Sequence, residues 1–138
     1  MNEFVIIDGP NLNLVGKREP EIYGDESIKD YIDGLNTKLV GTKIEYFQSN
    51  IEGEIIDKLH EVGFKYKGII LNAGGYTHTS VAIADAIKSI TTPVIEVHIS
   101  NIYAREDYRK TSLIAPVCKG SISGFGLRSY ALALAAFE

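Results

Sequence analysis

Phe4-Val5-Ile6-Ile7 is an unbroken apolar run that lacks the polar alternation of a strand with one face in water. Such a run needs cover on both sides, which the interior of a parallel sheet flanked by helices supplies. Gly68-Ile69-Ile70-Leu71-Asn72 and Val94-Ile95-Glu96-Val97-His98 repeat the pattern later in the chain. Between these runs the apolar period changes to that of a helix. Ile28, Tyr31, Ile32, Leu35 and Leu39 form one set, Ile51, Ile55, Leu59 and Val62 a second, and Val81, Ala84, Ile87 and Ile90 a third.

Residues 43–48 read as a further strand, residues 121–123 as a short fifth one, and residues 128–137 as a last helix. Five strands alternating with helices imply right-handed crossovers and one parallel sheet. The expectation is an α/β, flavodoxin-like three-layer sandwich, a five-stranded parallel sheet of order 2-1-3-4-5. Asp25 or Ser27 is available to cap the first helix and Ser49-Asn50 the second, which Gly63 should stop. Gly34 lies inside the first helix, where it costs about 1 kcal/mol relative to Ala.

A chain of 138 residues is long enough for one well-buried core, so a single domain over residues 1–138 is expected. A net charge of −4 with 23% charged residues argues against a non-specific nucleic-acid binder. Cys118 is the only cysteine, so no intramolecular disulfide can form, which suits a reducing compartment. It reads as a small buried hydrophobe. The first strand begins almost at once, and no apolar run approaches membrane-spanning length, so a cytoplasmic protein with no membrane partner is expected.

Open parallel sheets bind ligands beyond the carboxyl ends of their strands, where the strand order reverses. In this order that point lies between strands 1 and 3. Asn11 and Asn13 follow strand 1, Asn72 ends strand 3 with His78 in the turn after it, and His98 ends strand 4 ahead of Ser100. All six are expected around one crevice. Gly16 and Gly24 bound a polar segment carrying Lys17, Arg18 and Tyr23, which reads as a hinged flap.

Each residue also has a plainer reading. Arg18 and Tyr23 taken singly are surface side chains, and Asn11 and Asn13 are turn residues. Asp85 and Arg109 taken singly are salt-bridging surface groups, and His60 is a solvated histidine with no role. His98 reads either as an acid–base group or as a ring donating to a backbone carbonyl. Glu96, two residues earlier on the same side of the strand, is placed to hold that ring.

No cysteine–histidine cluster, acidic pair or phosphate-cradling Gly-x-x-x-x-Gly-Lys-Ser/Thr motif is present, which leaves proton transfer as the available chemistry. A tyrosine must lose about 2 to 3 pK units from its reference near 10 to act as a base at neutral pH. Guanidinium groups could supply that stabilisation, with Arg18, Arg105 and Arg109 as candidates.

Six segments are more specific than this physics. Gly9-Pro10-Asn11-Leu12-Asn13-Leu14, Gly16-Lys17-Arg18-Glu19-Pro20-Glu21-Ile22-Tyr23-Gly24, Phe47-Gln48-Ser49-Asn50, the turn from Asn72 to Ser80, Glu96-Val97-His98-Ile99-Ser100-Asn101 and Ala104-Arg105-Glu106 together resemble type II 3-dehydroquinate dehydratase. The resemblance runs in order over essentially the whole chain. It implies a cofactor-free hydro-lyase that converts 3-dehydroquinate to 3-dehydroshikimate in the shikimate pathway.

Motif by motif, the resemblance makes Tyr23 the base, Arg18 the group that holds it as phenolate, and Asn11 the residue that positions a water on the enolate oxygen. It makes His98 the acid, oriented by Glu96. Asn72 and the backbone of Ile99 and Ser100 are implied to hold the substrate carboxylate, and His78 and Arg109 to contact ring hydroxyls. Asp85 is implied to reach a neighbouring subunit in a dodecamer built of trimers. Ile51, Ser129 and Ala73-Gly74-Gly75 depart from the commonest family pattern, which leaves the shape of the carboxylate pocket open. The competing class is a binding module on the same fold. A receiver-like domain would need an Asp where Asn72 stands, and a flavin carrier a hydroxyl-rich loop where Pro10, Leu12 and Leu14 stand.

Overall fold

The computed structural model describes residues 1–17, 21 and 25–138. Its strands are β1 (Asn2–Asp8), β2 (Thr42–Gln48), β3 (Gly68–Asn72), β4 (Val94–His98) and β5 (Gly120–Ser123). They form one sheet of order β2-β1-β3-β4-β5, with every adjacent pair parallel. The expected fold and strand order are those observed. Of the flap expected at residues 16–24, residues 18–20 and 22–24, Arg18 and Tyr23 among them, lie outside the described residues.

Side chains alternate between the faces of a strand, and β1 shows why its sequence does not. Phe4 and Ile6 enter one apolar cluster with Ile70, Ile95 and Val97. That face is covered by helix α1 (Ile28–Lys38), through Ile28 and Ile32, and by helix α4 (Arg128–Ala135), through Tyr130, Ala133 and Leu134. Val5 and Ile7 enter the other cluster with Ile69, Leu71 and Val94. Helix α2 (Glu52–Val62) covers it with Ile55, Leu59 and Val62, and helix α3 (Val81–Ser89) with Ile83, Ala86 and Ile87. Fully burying one such aliphatic side chain is worth about 1.5–3 kcal/mol, so two closed faces fix the strand order firmly.

Local signals at the helix starts agree with expectation at α1 and differ from it at α2 and α3. Ser27 rather than Asp25 caps α1, its Oγ accepting from Asp30 N at 3.1 Å. The second helix begins one residue later than the expected caps, with Ile51 at the N-cap. Ser49 and Asn50 lie before it: Ser49 Oγ accepts from Ile51 N at 3.0 Å and donates to the Glu54 carboxylate. Ile51 is 58% exposed and takes no part in the apolar face. On α3 the buried stripe is Ile83, Ala86 and Ile87, and Val81, expected inside, is 63% exposed. Val81 opens the helix beside the Ser80 cap, where its side chain faces outward.

Gly63 does end α2, but in a right-handed conformation, so its absent side chain matters for space. A Cβ there would lie 2.4 Å from Ile90 Cγ2. Gly34 is the converse case. Nothing lies within 4 Å of a Cβ at that position, so close packing does not account for it.

Candidate active site

The carboxyl ends of β1, β3 and β4 open on a cleft of about 690 Å³, part of it open to solvent. β1 and β3 meet closely at its floor. Gly9 N donates to Asn72 O at 2.7 Å, and a Cβ on Gly9 would lie 2.4 Å from Ala73 O. Only glycine permits that approach, which brings the loop after β1 down beside the end of β3.

Asn11 follows in a left-handed conformation with φ 70°, the single positive-φ non-glycine among the described residues. Its backbone N–H donates to Asn50 Oδ1 at 3.0 Å, an oxygen that also accepts from Gln48 Nε2 at 3.2 Å. A non-glycine residue held in this region at the rim of a cleft is an observation that points to function. The 3-10 turn Leu12–Leu14 follows, and Leu12 and Val15 give the cleft an apolar wall.

His98 ends β4, with its side chain 7% exposed. Its Nε2 lies 2.8 Å from Glu96 Oε2. Glu96 is also held by Ser112 Oγ at 2.6 Å and by the Ser121 hydroxyl. Burial opposes ionisation of this carboxyl, but the bonds from His98, Ser112 and Ser121 outweigh it and hold the pKa below the usual glutamate value. The result is an ionised acceptor behind an imidazole that faces the cleft. The His78 ring stacks on it, 6.4 Å between centroids and 22° from parallel. His78 Nδ1 bonds Thr111 O at 2.7 Å; since a carbonyl only accepts, Nδ1 carries the hydrogen.

Asn72, Ile99, Ser100 and Arg109 complete the wall. Arg109 pairs with Glu106 at 2.9 Å while lining the cleft, so it is both the salt-bridging group and the cleft cation that the sequence offered. Arg105 Nη1 donates to Ser100 Oγ at 3.4 Å. No group of three or more histidine, cysteine, aspartate or glutamate side chains able to hold a metal occurs among the described residues. No helix among them is long and apolar enough to cross a membrane.

A family model described as dehydroquinase class II matches residues 2–138. The chain belongs to the class II dehydroquinase family. It is 54% identical to the 3-dehydroquinate dehydratase of Caldicellulosiruptor bescii, an alignment covering 100% of this chain and 97% of that one. It is 50% identical to 3-dehydroquinate dehydratase 1 of Agrobacterium fabrum, over 99% of this chain and 96% of that one. The crystal structure of type II dehydroquinase from Butyrivibrio crossotus superposes with a TM-score of 0.93 at 42% identity, covering 99% of this chain and 97% of that one.

Of the residues that the resemblance to this family singled out, Asn11, Asn72, His78, His98, Ile99, Ser100 and Arg109 all line the one cleft. Glu96 stands behind His98. Arg18 and Tyr23 lie outside the described residues. Asp85 is exposed on α3 and does not line the cleft. Asn13, expected in the crevice, is exposed outside it, where its Oδ1 accepts from Gln48 Nε2 at 3.4 Å. The 3-10 turn after Asn11 directs it away.

Sequence reasoning gave no role to Asp8 at the end of β1, and it missed Tyr130 beneath the cleft and Ser112 and Ser121 around Glu96. Asp8 closing an otherwise apolar strand was the one available signal. The serines gave none, because their link to Glu96 exists only once β5 and the turn before Ala115–Val117 are folded beside β4.

Proposed function

We propose that this protein is a 3-dehydroquinate dehydratase acting through an enolate, with Tyr23 as base and His98 as acid. The observation that carries the reading is the buried Glu96–His98 pair opening on a cleft shared with Asn11, Asn72, His78, Ser100 and Arg109, in a chain that matches the family from residue 2 to residue 138. The Tyr23 phenolate, held by Arg18, takes the proton alpha to the ring ketone. The C–H pair becomes the enolate, and Asn11 positions a water on its oxygen. The enolate then collapses and expels the β-hydroxyl, which leaves as water with a proton from His98.

Glu96 occupies Nε2, so the proton delivered comes from Nδ1. After each delivery, proton return from Tyr23 to His98 resets the site. Asn72 with the N–H groups of Ile99 and Ser100 holds the substrate carboxylate, and His78 and Arg109 hold ring hydroxyls. No cofactor enters these steps. The whole chain serves as one catalytic domain with a flap at residues 16–24. Asp85, exposed on α3, reaches the site of a neighbouring subunit in a dodecamer of trimers, an assembly that light scattering would size.

The test is incubation with 3-dehydroquinate while following the ultraviolet absorbance of the conjugated enone. Wild-type protein should generate it, and His98→Ala should not. A purified, folded wild-type protein that leaves 3-dehydroquinate unchanged would overturn the assignment.

A further inference from the structure

Asp8 takes no part in the chemistry above, yet it is a fully buried carboxylate at the end of β1, paired in register with Asn72 across the sheet. Its Oδ1 accepts from Tyr130 Oη at 2.8 Å and its Oδ2 from Tyr46 Oη at 2.6 Å. Asn72 Nδ2 donates in turn to Tyr130 Oη at 3.0 Å, and Asn72 Oδ1 accepts from Gly74 N at 3.3 Å. Burial pushes the Asp8 carboxyl up to about 7, while the two phenols pull it back.

The direction of every bond follows from the carboxylate. Ionised, it only accepts, so Tyr130 must point its single hydrogen at Asp8. The Tyr130 oxygen can then only accept, and Asn72 can meet it only with Nδ2. Turning the Asn72 amide over would set Oδ1 against that oxygen and Nδ2 against the Gly74 N–H, which breaks both contacts. Nδ2 keeps a second hydrogen, and Asn72 lines the cleft.

We propose that Asp8, acting through Tyr130, is a positioning residue that locks the Asn72 amide with its donor end available to the substrate carboxylate. The inference rests on the assignment of Asn72 to that carboxylate made above. The lock does not require the charge itself: a proton on Oδ2 donates to Tyr46, a half-buried residue, and Oδ1 still accepts from Tyr130.

The test separates positioning from stability, because Tyr46 and Tyr130 donate to the same carboxylate and only Tyr130 touches Asn72. Tyr130→Phe should raise KM roughly tenfold or more with kcat within roughly threefold, and Tyr46→Phe should leave KM within roughly twofold. In an Asn72→Ala background, Tyr130→Phe should add nothing further to KM. Asp8→Asn should recover most of the loss seen with Asp8→Ala, since its amide oxygen can still accept from Tyr130. Equal KM effects of the two tyrosine variants, or an undiminished Tyr130→Phe effect without Asn72, would overturn the proposal.

A second readout needs no turnover. The Asn72 side-chain NH₂ signals in a ¹H–¹⁵N spectrum should shift in Tyr130→Phe and hold in Tyr46→Phe. Unchanged signals in Tyr130→Phe would overturn the relay whatever the substrate. Absent wild-type turnover would instead defeat the functional assignment, with the amide signals still deciding the relay.

Discussion

Asp8→Asn should remove a specific part of the pH dependence of stability. The carboxyl is fully buried and its pKa is raised from 3.8 to about 7, so between those values the folded chain binds a proton that the unfolded chain does not. Stability contributed by such a group is complete below the unfolded pKa and is lost as pH rises through the folded one. At 1.36 kcal/mol per unit the whole span is worth about 4 kcal/mol, of which about 2 to 3 kcal/mol falls between pH 5 and pH 8. Asparagine does not titrate and keeps an acceptor for Tyr130. Glu96 works in the opposite sense: its depressed pKa withdraws stability only as pH falls below about 4.5, outside this window. Urea unfolding of both proteins at pH 5 and pH 8, at matched concentration, is the assay. Wild-type stability measured against the variant should fall by that amount on going to pH 8. The same difference at both pH values would show that Asp8 titrates as an ordinary exposed aspartate does, and the burial argument would fail.

Glu96→Gln replaces the ionised acceptor behind His98 with a neutral amide; a hydrogen bond to a charged group is worth about 1.5–3 kcal/mol, so kcat should fall roughly 10- to 150-fold with KM little changed. Steady-state kinetics decides it, and an unchanged kcat would remove Glu96 from the orientation of the acid. Gly34→Ala should stabilise the protein by about 1 kcal/mol in urea unfolding, because the position is helical and open. Destabilisation there would mean that a contact from outside the monomer occupies the space.

The strand order could be read from the sequence because it depends on whether a strand needs cover on two faces, and Phe4-Val5-Ile6-Ile7 already states that. Helix registers were less legible. Val81 carries the apolar period of α3 on paper, but the Ser80 cap starts the helix there and turns it outward, while Ile83 takes the buried place. In the cleft, His98 and Asn72 stand at strand ends, where topology alone brings them together. Asn13 was misplaced because a 3-10 turn rotates successive side chains through about a third of a circle. The Asp8–Tyr130–Asn72 chain was out of reach, since its phenol comes from a helix 122 residues further along the chain than its carboxylate.

The proposed proton abstraction by Tyr23 is tested by Tyr23→Phe, with turnover of 3-dehydroquinate and binding of the enone product measured on the same preparation. Phenylalanine keeps the ring and loses only the proton acceptor. Enone formation should disappear while product affinity stays within roughly tenfold of wild type. Substantial turnover in that variant would rule out Tyr23, and the base would have to be found elsewhere.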